Sequence, residues 1–265
     1  MKKGWVIFMA IENKPNDENV HTYDNGFHPK EVILNENYKF YNRNFFFRLW
    51  SKIVIYFTRA WLIFPRMFMG VKIKGRKNKR KVDGAIMVAN HIHPLDAFFL
   101  AGSLYFKKVY VTMLQSNLGF GLFSRYLRIV ACVPIPTDRR LLRKFNNETA
   151  EILQKHCNVL FFAEAALNPY CDHIRPFLPG AFHYAVVNDR PIMPCCFTFH
   201  KPKGLLKLFR KKPCIHVNYL EPYYVKNTGN RKEDIERTTA EVHQIINDFF
   251  VANSDYYYKD GKKIN

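Results

Sequence analysis

The chain has 265 residues, 48% of them apolar, enough to bury the core of one sizeable domain and to exclude global disorder. Lys and Arg number 41 against 22 Asp and Glu, a net charge of +19 that points to anionic partners: lipid, phosphorylated substrates or nucleic acid. Aromatic residues reach 16%, with 24 Phe and 3 Trp, a balance that suits a membrane surface at least as well as nucleic acid.

Residues 1–40 read as an irregular N-terminal extension. The opening MKKGWVIFMAIENKPNDEN has the Lys pair and apolar run of a signal peptide, but the run from Trp5 to Ile11 is seven residues long and no small-residue cleavage site follows. A mobile or strand-like segment is expected there. Residues 41–70 form a second unit around FFFRLWSKIVIYFTRAWLIFPRMFMG. At about 100° per residue, Arg48, Lys52 and Arg59 fall within about 40° of one another. Pro65 breaks or kinks the helix before Arg66 joins that stripe. The remaining surface is Phe, Trp, Ile, Val, Leu and Tyr, so a helix lying in a bilayer interface is expected. The plainer alternative is a helix packed on its own domain with its cations outward. No stretch reaches roughly 18 uninterrupted apolar residues, so no orthodox spanning helix is expected.

The next stretch, VKIKGRKNKRKVDG, carries seven basic residues between Lys72 and Lys81. It is either a solvated face or a contact for anionic headgroups. From there the pattern alternates. Apolar runs at 84–89, 108–114, 129–135, 158–163, 192–199 and 214–220 read as strands, with helices between them at 95–106, 117–128, 139–156 and 180–187. RKEDIERTTAEVHQIINDFF closes the unit, with Ile235, Val242, Ile245, Ile246 and Phe249 on one helical face. Strands alternating with helices predict an α/β domain over 71–250, its largely parallel sheet flanked by helices. Residues 251–265 read as a polar tail. The six cysteines lack CxxC spacing, Cys195 and Cys196 sit in an apolar run, and Cys171 with His173 falls short of a ligand set. Reduced thiols in a cytoplasmic setting and no metal are expected.

The chemistry concentrates in VANHIHPLDAFFL, residues 88–100, where Asn90, His91 and Asp96 gather as a buried strand ends. A lone buried His is more often a satisfied core residue; three polar groups together ask for more. Pro94 suits the first turn of a helix, which folds Asp96 back toward the His91 ring. A carboxylate on one ring nitrogen fixes the tautomer, leaves the other nitrogen as an acceptor and stabilises imidazolium as it forms. That is a general-base dyad without its own nucleophile, suited to a substrate that brings its own hydroxyl. His93 is the rival base, with a less suitable spacing to Asp96.

Asn90-His91 with Asp96 resembles the N-H-x4-D motif of the glycerolipid acyltransferases, the lysophosphatidic acid acyltransferase family. Three further blocks stand in that family's order: VPIPTDR ending at Arg139, FFAEAAL with Phe162 and Glu164, and RPFLPGAFHYA followed by RPIMPCC with Pro191 and Pro194. The resemblance covers about residues 71–225. It implies His91 as base, Asp96 as its support, and substrate contacts from Asn90, Arg139, Glu164 and Arg175. Arg139, or its neighbour Arg140, would hold an acceptor phosphate. Glu164 would orient the acceptor or anchor the turn carrying Arg139.

The implied reaction moves a fatty acyl group from acyl-CoA or acyl carrier protein to a lysophospholipid hydroxyl, foremost 1-acyl-glycerol-3-phosphate. It needs no metal or redox cofactor. The implied setting is the cytoplasmic face of a membrane, peripheral or monotopic, with anionic lipids as partners and no nucleic acid. Ala163, Ala165 and Ala166 stand where the family has Pro, Gly and Thr, and Pro179 where a basic residue often stands. An alanine methyl group obstructs the close phosphate approach that glycine allows. Arg139, Arg175, Asn168 or Tyr170 would compensate. The alternatives are a catalytically silent or thioesterase-like lipid-binding relative, and a nucleic-acid binder that the charge permits but no recognition motif supports.

Overall fold

The expected strands share a cause. Apolar residues run nearly unbroken through them, as a parallel sheet covered on both faces requires. The computed structural model describes residues 31–104, 108–259 and 262–264. The run at 5–11 and the end of the helix expected at 95–106 lie outside them. β2 (Ile86–Ala89), β3 (Val109–Leu114), β4 (Cys132–Ile135), β5 (Asn158–Phe162), β6 (Ile192–His200) and β7 (Cys214–Tyr219) fall on the six expected runs. A seventh strand, β1 (Lys72–Lys74), arises inside the basic run, and the sheet order is β1-β7-β6-β2-β5-β3-β4. Strands β2 to β6 are mutually parallel, β7 is antiparallel to β6, and β1 runs with β7. The fold is therefore the α/β class expected, with a largely parallel sheet flanked by helices.

The intervening helices are α3 (Asp96–Gly102), α4 (Leu122–Ile129), α5 (Arg139–Gln154), α6 (Gly180–Val187), α7 (Leu206–Phe209) and α8 (Arg231–Asn253). Parallel strands bring their C-terminal ends to one edge, where open α/β sheets hold ligands. Here that edge collects the residues after β2, β3, β4 and β5. It is the edge carrying His91, Gln115, Arg139 and Glu164.

Several boundaries differ from expectation for identifiable reasons. Residues 31–43 are irregular but not peripheral, since Phe40 and Tyr41 are buried and the Tyr41 hydroxyl meets Thr149 Oγ1 at 2.9 Å. The polar tail is structured at its start. α8 continues to Asn253, the Asp255 N–H donates to the Phe199 carbonyl at 2.8 Å, and β8 (Tyr257–Lys259) and β9 (Lys262–Ile264) pair as a hairpin. Part of the basic run is used within the domain. Lys79 Nζ donates to the Ser103 carbonyl at 2.7 Å and Lys81 Nζ to Glu221 at 2.5 Å. Lys72 and Lys74 are exposed along an edge strand, a placement that discourages further strand pairing.

The helix expected before the domain is two helices, α1 (Phe45–Trp61) and α2 (Ile63–Phe68), jointed at Leu62. Pro65 lies in the first turn of α2, where a missing N–H costs little. The orientation of α1 is inverted relative to an ordinary surface helix. Its polar side faces the domain: Ser51 Oγ donates to the Ile129 carbonyl at 2.6 Å, Thr58 Oγ1 meets the Tyr126 hydroxyl at 2.9 Å, and Arg59 donates to the Leu104 carbonyl at 3.1 Å. Arg59, expected on an outward ridge, is therefore an inward anchor. Of the 22 exposed large apolar residues among those described, 12 lie on α1 and α2. A monomer rarely shows water so continuous an apolar face. None of the described helices is long and apolar enough to cross a membrane.

Candidate active site

At the end of β2 the chain turns sharply, and Asn90 fixes the start of that turn. Its fully buried amide accepts from the Phe197 N–H at 2.8 Å and donates to the Phe197 carbonyl at 3.1 Å. These bonds tie β2 to β6, so Asn90 positions the turn; the substrate contact expected of it is replaced by a backbone one.

Asp96 opens α3 and its side chain is 0% exposed. Its Oδ2 accepts from the Ile92 N–H and the His93 N–H, each at 2.7 Å, and faces His91 Nδ1 at 3.1 Å. The carboxylate thus holds the turn and the imidazole together. The His91 ring stacks on Phe162 with centroids 4.0 Å apart, and the His91 N–H donates to Glu164 Oε2 at 3.2 Å. With Nδ1–H toward Asp96, Nε2 is left as an acceptor on a side chain that is 18% exposed. Among the described residues Nε2 has no hydrogen-bond partner. His93 loses the competition on geometry. Its Nδ1 accepts from the Leu95 N–H at 3.1 Å, so only its backbone reaches the carboxylate, and burial pulls its imidazole below the ordinary value.

Glu164 follows β5. Arg175 Nε and Nη2 reach its Oε2 at 3.2 and 2.9 Å, and the Arg175 N–H donates to Oε1 at 3.1 Å. Both side chains are buried. Burial raises the Glu164 carboxyl above its usual value, and the Arg175 guanidinium opposes that shift. The pair has a mechanical result: Glu164 joins the loop after β5 to the backbone of His91. It does not anchor the turn carrying Arg139. Arg175 is committed to Glu164 and also donates to the Ala166 carbonyl, which makes it a strut beneath His91. The same loop is stitched to the turn after β2 by the Asn168 N–H to the His91 carbonyl at 3.2 Å and the Tyr170 N–H to the Ile92 carbonyl at 2.9 Å.

Residues 70–198 match the family model described as Acyltransferase, a span that includes all four blocks. That match covers just under half of the chain and supports assignment of this span to the acyltransferase family. The chain is also similar in structure to the 1-acyl-sn-glycerophosphate (LPA) acyltransferase PlsC from Thermotoga maritima. The identity is 19%, over 74% of this chain and 79% of that one, with a TM-score of 0.45. A comparison with curated proteins gives no match.

Within the matched span the two arginines at the start of α5 are distinguishable. Asp138 caps α5 by accepting from the Arg140 N–H at 2.8 Å, and it also holds Arg140 Nη2 at 3.2 Å, with Glu36 at 3.8 Å from Nη1. Arg139 is exposed, and among the described residues its guanidinium has no hydrogen bond or ion pair. Three strand spacings, about 14 Å, separate the β2 and β4 ends. Two positioning residues escaped sequence reading. The sequence marks Phe162 only as a block residue, whereas the structure makes it the platform for the imidazole. Gln115 carried no signal at all. Its Oε1 accepts from the Thr137 N–H at 3.0 Å and its Nε2 donates to the Val32 carbonyl at 2.8 Å, setting the approach to Arg139.

Proposed function

We propose that this acyltransferase moves a fatty acyl group from a thioester, acyl-CoA or acyl carrier protein, to the free hydroxyl of a lysophospholipid, foremost 1-acyl-glycerol-3-phosphate. One observation carries the reading: a buried carboxylate, fixed by two backbone N–H groups, orients His91 so that Nε2 is the available acceptor. Nε2 takes the acceptor's hydroxyl proton, and the oxygen attacks the thioester carbonyl. Asp96 stabilises the imidazolium so formed. The tetrahedral intermediate collapses by breaking the carbon–sulfur bond, and imidazolium returns the proton to the departing thiolate. The chain of residues invoked includes no metal or redox group. Arg139 is the candidate clamp for an acceptor phosphate, through two parallel N–H donors.

The apolar outer face of α1 and α2 supports residence at a membrane surface, peripheral or monotopic, on the cytoplasmic side where thioester donors are made available. The test is mass spectrometry of lipids formed by the purified chain from mixed lysophospholipids with acyl-CoA or acyl carrier protein. Phosphatidic acid should form with wild type and be lost with His91→Ala. Stoichiometric free fatty acid with no acylated lipid would assign the dyad to thioester hydrolysis instead.

A further inference from the structure

The connection between β6 and β7, KPKGLLKLFRKKP over residues 201–213, holds six cations and no acid. Antiparallel neighbours need only about two to five linking residues, so this loop exceeds what the fold requires. Its single helical turn, α7, leaves Leu205, Leu208 and Phe209 75%, 79% and 65% exposed, and all five of its lysines are exposed as well. Apolar tips ringed by lysine are poorly suited to water alone. They are complementary to an anionic lipid surface, which offers acyl chains beneath and phosphates around.

The loop is also docked to the element already read as membrane-facing. Arg210 Nη1 donates to the carbonyl of Phe68, the last residue of α2, at 3.4 Å, and Nη2 to the Pro213 carbonyl at 2.8 Å. A Cβ at Gly70, whose φ is +62°, would lie 2.5 Å from Cys214 Sγ and 2.9 Å from Leu206. The α2–β1 turn and α7 therefore pack as closely as a missing side chain allows. Ile63, Phe64, Met67 and Phe68 of α2 are exposed beside them. At its other end the loop reaches the catalytic turn: Lys212 Nζ lies 5.0 Å over the Tyr170 ring, and that ring is 5.9 Å from His93.

We infer that residues 201–213 form a second interfacial anchor, which inserts Leu205, Leu208 and Phe209 into an anionic bilayer and sets the catalytic edge of the sheet against it. The inference rests on the membrane residence proposed above for α1 and α2. Two anchors distant in sequence fix an orientation that one helix leaves free to roll. The lysines confer a preference for anionic lipid, each one near the surface strengthening binding about fivefold.

The test uses the full chain with Cys157→Ser, which removes the partly exposed thiol, and an environment-sensitive fluorophore on Leu208→Cys. A parallel protein carries the fluorophore on Phe57→Cys in α1. Vesicles are phosphatidylcholine alone or mixed with phosphatidylglycerol, with brominated acyl chains as quencher. The Leu208 probe should blue-shift and be quenched, more strongly with phosphatidylglycerol and less so in salt. Leu205→Ser/Leu208→Ser/Phe209→Ser should weaken binding to mixed vesicles by about tenfold or more. Quenching at position 57 without quenching at 208 overturns the second anchor and leaves the α1 reading standing. Quenching at neither overturns both. A Leu208 probe already shielded before vesicles are added also overturns the inference, because another part of the chain or a second copy then covers the loop.

Discussion

Asp96→Asn is the sharpest probe of the proposed dyad, because the amide keeps part of what the carboxylate does and removes the rest. Oδ2 accepts two backbone N–H groups besides the imidazole, and an amide oxygen in that place still serves all three. The lost quantity is the charge facing imidazolium. A hydrogen bond to a charged group contributes about 1.5–3 kcal/mol, which at about 1.36 kcal/mol per decade predicts a fall in kcat of roughly 10- to 150-fold. Oδ1 is buried without a partner among the described residues, so the amide nitrogen placed there lacks an acceptor and costs about 1–3 kcal/mol of stability. Asp96→Ala should be worse for folding, stranding the Ile92 and His93 N–H groups for about 2–6 kcal/mol at the same cost per group. His91→Ala should lower turnover about 10²- to 10⁴-fold without stranding those amides. The assay is steady-state acyl transfer beside thermal denaturation of each variant, completed by the His91→Ala/Asp96→Asn double variant. In a true dyad the second substitution adds little once the first is made. Near wild-type kcat for Asp96→Asn, or full multiplication of the two losses in the double variant, would refute the coupling.

Arg139→Lys should raise KM for phosphorylated acceptors more than for neutral ones, since lysine lacks the planar fork. Arg140→Ala should have the smaller effect because Asp138 and Glu36 already hold that side chain; steady-state kinetics with paired acceptors decides between them. Ala165→Gly should stabilise the chain by about 1 kcal/mol, because Ala165 sits at φ +61°, a strained value for any residue with a Cβ. A calorimetric Tm about 2–4 °C higher is the expected sign, and a lower Tm would show that the loop does not feel the strain. Burial, with His200 stacked 3.6 Å away, holds the His216 imidazole down at about 3 from an ordinary 6.5, so the folded chain keeps it neutral where the unfolded chain is protonated. Stability contributed by that neutral ring should fall as pH drops from 6.5 toward 3, and His216→Gln should flatten the denaturant-measured slope over that window. Trp50→Ser/Phe57→Ser/Trp61→Ser should weaken vesicle binding and lower activity on bilayers more than on micelles, as flotation and paired assays would show.

How much of this was legible depended on whether the signal was local. The strands were legible because burial on both faces leaves an unbroken apolar run, and the His91–Asp96 contact because five residues and a proline determine it. β1 was hidden by its own lysines, which belong on an exposed edge strand and so mimic a charged linker. α7 was hidden because four residues are too few for helical periodicity to register. The cations of α1 were legible as a stripe, but not that Arg59 turns inward while Arg48 and Lys52 stay exposed. Periodicity finds a face without saying what it meets, and only Leu104, Tyr126 and Ile129, far along the chain, reveal that the polar side touches protein. Glu164 and Arg175 were both singled out, yet their mutual pairing was invisible, because the loop between them folds back on itself.

The three alanines in the block after β5 acquire a common explanation once that loop is seen. Ala163 donates its N–H to the Ala89 carbonyl at 3.3 Å, a bond that a proline there would forgo. Ala165 holds the positive φ for which glycine is the natural residue, so the family's glycine serves backbone shape as well as close approach. Ala166 presents its carbonyl to Arg175, which simultaneously grips Glu164. The turn thus keeps its form through a buried ion pair and backbone bonds instead of through Pro, Gly and Thr. The consequence falls on the substrate. Under the proposed function, a methyl group at 165 and no hydroxyl at 166 leave the loop less able to receive a phosphate, while it still holds the His91 backbone. On that reading, acceptor recognition falls to Arg139 at the start of α5, which is exposed and whose guanidinium has no hydrogen bond or ion pair among the described residues, while His91 keeps its geometry.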